Sequence, residues 1–216
     1  PVSNGEVNAV NAKYDLGYAF LKKENYRQSL GFFEQIVKTP QINSSPIEQD
    51  AYMRTADNYY MLKDFKKALS MYDLALKYSW PSEDYALFQK AMVTGVTNSN
   101  EKINLLKTID RRFPTSSLIP DANMEIANSY LADSRYRDAI PYLKNVISAV
   151  NAEALKPRAY LRSGIAYYNL NNNKEALANY TALIQQFPNS IEAESALENA
   201  RVIYIEEGRT SEYVSF

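Results

Sequence analysis

Small, apolar and polar positions recur along this chain with a long period. Between Tyr160 and Pro188 the small residues are Gly164 and Ala176. Counted from Gly164, Tyr167, Ala176, Tyr180 and Pro188 lie at +3, +12, +16 and +24. The polar run Asn171-Asn172-Asn173 divides the stretch in two. Asparagine clusters favour turns, so the pattern predicts two antiparallel helices, A and B. Gly164 on A and Ala176 on B then mark where the two backbones approach closely. Tyr167 and Tyr180 fill the space around that contact, because rings bury large areas and their hydroxyls still reach a polar edge. A glycine inside a helix costs about 1 kcal/mol against alanine, which points to a packing need at Gly164. Asn173 is the predicted N-cap of helix B, and Pro188 its end.

The same spacing returns along the chain. Gly17, Phe20, Ser29 and Phe33 form a first unit, with Ser29 in the small position and the turn at Lys23-Glu24-Asn25. Ala56, Tyr59, Ala68 and Tyr72 form a second, turning at Lys63-Asp64. Ser45-Pro46-x-Glu48 opens it as an N-cap, a first-turn proline and a capping-box glutamate. A fourth unit carries Ala127, Tyr130, Ala139 and Leu143 around Asp133-Ser134-Arg135, with Pro141 inside helix B as an expected kink. The third unit is degenerate. Counting back from Pro114 puts Leu106 and Lys102 in the aromatic and small places, while Ala91 aligns with the glycine. A sixth unit starts at Asn189-Ser190-x-Glu192, with Ala200 as its anchor and a turn at Glu207-Gly208-Arg209. The anchors 17, 56, 91, 127, 164 and 200 are separated by 39, 35, 36, 37 and 36 residues. The run Thr39 to Ser45 accounts for the longest interval.

These residues at these intervals resemble the tetratricopeptide (TPR) repeat. The resemblance implies an all-α, right-handed superhelical solenoid of about 5.5 repeats and 11–12 helices. It predicts one solenoid domain over residues 1–216, with units near 10–43, 46–82, 83–116, 118–151, 152–188 and 189–216. The last unit is incomplete, so the chain is expected to be a segment of a longer one. Phe187-Pro188-Asn189-Ser190, echoed by Phe113-Pro114-Thr115-Ser116, is similar to phrases in bacterial envelope TPR proteins. These include the Tol–Pal coordinator and the TPR lipoprotein of the outer-membrane assembly machine. That likeness implies a periplasmic or outer-membrane-associated location.

Composition narrows the chemistry. The chain has 216 residues, no cysteine, no histidine and a formal net charge of −1. Disulfides and thiolate metal sites are excluded, and the commonest general base and metal ligand are missing. Basic residues are scattered among acidic ones, so no basic face for nucleic acid is expected. No apolar run reaches the roughly 20 residues that span a bilayer. Glu192 with Glu194 and Glu206 with Glu207 are carboxylate neighbours, but one- and two-residue spacings do not share a helix face. No phosphate loop, nucleophile elbow or metal spacing is present. No enzyme activity, cofactor or metal is expected. The only tryptophan, Trp80, sits at a helix–helix turn, where packing between units is the expected role.

In TPR proteins the A helices line a concave groove that holds partners, so the resemblance implies a non-catalytic scaffold binding a peptide or protein segment. The resemblance places its groove candidates at Tyr14, Tyr18, Asp57, Tyr60, Tyr85, Phe88, Met92, Asn128, Leu131, Tyr168, Arg201 and Tyr204. Some of these rings are also expected to fill space between neighbouring A helices. Where chaperone-binding TPRs hold a C-terminal carboxylate with Lys and Asn, this chain has Tyr14, Tyr18, Met53 and Asp57. No such docking is expected. The alternative role is a structural spacer within a longer array. The unfinished end also allows self-association.

Overall fold

The computed structural model describes residues 4–37 and 44–215. Most of the predicted Thr39–Ser45 connection lies outside them. Twelve α-helices run through the described residues. They are α1 (Asn4–Lys22), α2 (Tyr26–Phe33), α3 (Pro46–Met61), α4 (Phe65–Tyr78), α5 (Glu83–Thr94), α6 (Ser99–Arg112), α7 (Ile119–Ala132), α8 (Tyr136–Ser148), α9 (Lys156–Asn169), α10 (Asn173–Gln186), α11 (Ile191–Glu206) and α12 (Thr210–Ser215). Odd-numbered helices are the A helices and even-numbered ones the B helices. The chain divides into two compact units, residues 1–105 and 106–216.

The turns between A and B share one backbone device. Glu24, Lys63, Ser134 and Asn171 all take positive φ, at 56°, 64°, 56° and 56°. Each lies seven residues after its anchor. The residue after Glu24, Lys63 and Asn171 caps the following helix. Asn25, Asp64 and Asn172 accept from the backbone N–H three residues on. The cap of α10 is therefore Asn172, not Asn173, because the left-handed residue before it fixes where the helix starts. Ser45 and Glu48 form the expected reciprocal capping box on α3. The third unit departs from the pattern. Its turn has no positive-φ residue, and α5, with 12 residues, is the shortest A helix.

The left-handed turn residue also corrects the sixth unit. Gly208 has φ +69°, and seven residues back lies Arg201, not Ala200. Burial agrees with that register. In α7 the buried residues Ala122, Ile126, Ser129 and Tyr130 stand at −5, −1, +2 and +3 from Ala127. In α11 the buried residues Ala196, Ala200, Ile203 and Tyr204 stand at the same offsets from position 201. The anchor interval is thus 37. An arginine occupies the small position and is exposed.

Packing in the units follows the small-to-ring rule. In residues 106–216 a Cβ built on Gly164 would lie 2.2 Å from the Tyr180 ring. In residues 1–105 one built on Gly17 would lie 2.9 Å from the Phe33 ring. Ala176, Tyr180, Phe33 and Tyr72 are almost fully buried. The serine in the first small position has its own reason. Ser29 Oγ donates to the Gly17 carbonyl at 2.9 Å and accepts from Asn58 Nδ2 at 3.0 Å. One hydroxyl thus ties α2 to both α1 and α3.

Two glycine variants separate sterics from propensity. Gly164→Ala should lower stability by about 1–2 kcal/mol, because overpacking against a buried ring costs about 1–3 kcal/mol and outweighs the helix gain. A Cβ built on Gly31, inside α2, would meet no neighbouring atom within 4 Å outside its own helix turn. Gly31→Ala should stabilise by about 0.5–1 kcal/mol. Urea denaturation followed by circular dichroism reads both. Equal signs for the two variants would refute the ring-seat explanation.

Candidate functional site

The candidate residues lie on the A helices, and each unit is built differently. In residues 1–105 the key side chain is Arg54, one turn after Asp50 and nearly one turn before Asp57 on α3. Its Nε lies 3.4 Å from Asp50 Oδ1, and its Nη1 donates to Asp57. Tyr14 and Tyr18 of α1 both donate to Asp50 Oδ2, at 2.6 and 2.7 Å. Tyr72 of α4 donates to Asp57 Oδ1 at 2.6 Å. Tyr85 of α5 donates to Asp57 at 2.9 Å. The guanidinium lies over the Tyr85 ring at 5.0 Å and, more distantly, the Tyr18 ring at 5.9 Å. One charged residue therefore joins α1, α3, α4 and α5.

Four predicted site residues, Tyr14, Tyr18, Asp57 and Tyr85, meet in this network and remain half-buried. Asp50, Arg54 and Tyr72 were missed. Asp50 and Arg54 carried a signal, being an i,i+4 acid–base pair on the predicted groove face. Tyr72 read as core filling, since only its hydroxyl reaches the network. The other candidates in this unit, Tyr60, Phe88 and Met92, are half-buried. Tyr60 leans on Phe65 at 5.9 Å. Trp80 is 1% exposed, against Tyr52 at 5.2 Å and stacked on Tyr78 at 5.8 Å.

In residues 106–216 the A-helix face is α7, α9 and α11. Asn128 accepts from Arg162 and donates to Glu125 at 3.0 Å. Tyr168 donates to Glu206 at 2.9 Å and stays half-exposed, as does Leu131. Tyr204, expected on the exposed face, is 8% exposed and packs near Tyr213 with Arg209 over its ring. The one-residue register shift explains this, since position +3 faces the core. Arg201 sits in the anchor place and, among the described residues, reaches only Glu198, at 4.0 Å. The α11 residues that do occupy positions +1 and +4 are Val202 and Ile205, 45% and 52% exposed. Gly208 was the signal that would have found them.

Burial governs the titration of these groups. It raises Asp57, opposed by Arg54 and the hydroxyls of Tyr72 and Tyr85. Burial also raises Tyr14, Tyr18, Tyr72, Tyr85 and Tyr180 above the ordinary 10.0, with Asp50 or Asp57 adding to the shift in the first four. Tyr59, buried and bonded to Glu34, is pushed up to about 12. Unfolded tyrosines ionise near 10. Above that pH the folded state holds more protons than the unfolded chain, so stability falls as pH rises. The contribution of Tyr59 is full below pH 10 and lost as pH climbs through about 12. Tyrosinate absorbance should rise in two steps, the second coinciding with loss of helical dichroism. A single step with helix retained would contradict the network.

Among the described residues no group of three His, Cys, Asp or Glu side chains could hold a metal ion. No helix among them is long and apolar enough to cross a membrane.

Helix pairs with a small-to-ring contact, a left-handed turn residue and a face of A helices define a repeat protein. A tetratricopeptide-repeat family model matches residues 14–84 and 124–191. The chain belongs to the tetratricopeptide-repeat family. The matched segments hold most of the first unit, all of the second, most of the fourth and all of the fifth, and leave out nearly all of the degenerate third and the shifted sixth. Comparison with curated proteins gave no match.

Solved structures share the fold. The crystal structure of MamA protein is 21% identical, over 77% of this chain and 86% of that one, with a TM-score of 0.62. MamA from Desulfovibrio magneticus RS-1, residue 41 to its end, is 12% identical over 82% and 93%, with a TM-score of 0.63. YrrB, described as a TPR protein with an unusual peptide-binding site, is 14% identical over 86% and 90%, with a TM-score of 0.58.

Proposed function

We propose that this chain is a non-catalytic scaffold that holds a peptide or protein segment along its A-helix face. The observation that carries this reading is the half-exposed row Tyr14, Tyr18, Tyr60, Tyr85, Phe88 and Met92 on three successive A helices. Three of these rings are held by hydroxyl bonds to Asp50 or Asp57. Rigid rings lose little entropy when a partner lands on them, which makes them efficient anchors. In residues 106–216, Leu131, Tyr168, Val202 and Ile205 form the corresponding face. The fold shared with YrrB, a peptide-binding TPR protein, supports the reading.

The test compares the chain with a Tyr60→Ala, Tyr168→Ala double variant in affinity capture from the source cells. Partners should be lost with the variant while its helical dichroism is unchanged. Partners retained by both would overturn the groove reading and favour the spacer role. The Phe187-Pro188-Asn189-Ser190 phrase extends the proposal to a bacterial envelope location. Cell fractionation with an antibody to the chain tests that, and a purely cytosolic signal would refute it.

A further inference from the structure

The Arg54 network also sets what the A-helix face of residues 1–105 offers a ligand. Tyr14 and Tyr18 each spend their one hydroxyl proton on Asp50. A hydroxyl that has donated its proton keeps only acceptor lone pairs. The rings add the negative face of their π systems. Two carboxylates, Asp50 and Asp57, share one guanidinium, which leaves a net charge of −1. That charge is unevenly placed. Asp57 and Arg54 are 14% and 18% exposed at the side chain, while Asp50 is 32% exposed. Asp57 is saturated by Arg54, Tyr72 and Tyr85. Among the described residues, Asp50 Oδ1 meets only the long 3.4 Å contact with Arg54.

Lone pairs, ring faces and residual charge therefore have one sign, and all of them suit a donor. We propose that this face binds a cationic peptide segment, with a lysine or arginine reaching Asp50 and lying against Tyr14 and Tyr18. The proposal rests on the scaffold reading and adds the chemistry of the partner. Arg54 does not repel such a ligand strongly, because it is less exposed than Asp50 and is paired with Asp57.

The test is a display library of short random peptides panned on the full chain. Enriched peptides should carry Lys or Arg and lack Asp and Glu. Their affinity for the wild-type chain should fall as ionic strength rises. Asp50→Asn keeps an acceptor for both tyrosines, so the fold should survive, and thermal unfolding checks this. It should weaken the selected peptides about fivefold. Acidic or uncharged binders that are lost in Tyr60→Ala would overturn the cationic preference and leave the scaffold reading standing. Cationic binders insensitive to both Asp50→Asn and salt would overturn it as well. No enriched peptide of any charge would count against both.

Discussion

Arg54→Met should cost about 3–5 kcal/mol of folding free energy near neutral pH, since removing one partner of a buried pair leaves the other charge uncompensated. Asp57 is the group left behind. Burial already raises its pKa, and Arg54 is the largest influence holding it down. In the variant the carboxyl should rise further and take up a proton on acidification. A raised carboxyl favours the protonated folded state, so the penalty is present above that pKa and relieved as pH falls through it. The deficit against wild type should therefore shrink from neutral to mildly acidic pH. Adding Asp57→Asn to Arg54→Met should recover stability at neutral pH, because the stranded charge is gone. Urea denaturation of the single and double variants at two pH values reads this directly. A penalty that is independent of pH, and unaltered by Asp57→Asn, would mean that Arg54 acts by packing alone.

Trp80→Ala should cost a similar amount, about 3–5 kcal/mol, the usual range for deleting a large buried aromatic side chain. Trp80 is the largest fully buried side chain among the described residues. It closes α4 after Ser79, which takes the left-handed conformation, and lies in the cluster of α3, α4 and α5. Its neighbours Tyr52 and Tyr78 flank the ring, so a cavity there could collapse only in part. Trp80→Phe should keep much of the lost stability. Thermal unfolding by circular dichroism is the readout, since the variant has no tryptophan fluorescence. A cost below about 1 kcal/mol, the range of ordinary surface changes, would show the site to be loosely packed.

Two kinds of information separate in this protein. Helix pairing, the small-to-ring contacts and most caps were legible from local order, because each depends on residues within one turn or one hairpin. Gly164 with Tyr180 and Ser45 with Glu48 are of this kind. The register of the sixth unit was legible in principle but misread. Ala200 is small, as an anchor should be, yet the left-handed turn at Gly208 sets the phase, and glycine takes that backbone at the least cost.

The amino-acid sequence by itself determined the repeat, the direction of each helix and the composition of the A-helix face. Only the tertiary structure decided which of those side chains are free and which hold one another. Tyr14, Asp50 and Tyr85 lie on three different A helices, 36 and 35 residues apart. The Tyr14 hydroxyl meets Asp50, and the Tyr85 hydroxyl meets Asp57 two turns further along the same helix, because these A helices lie side by side and the Arg54 guanidinium between the two carboxylates requires partners. No local pattern states that requirement; it follows from the cost of leaving a charge dry and unpaired.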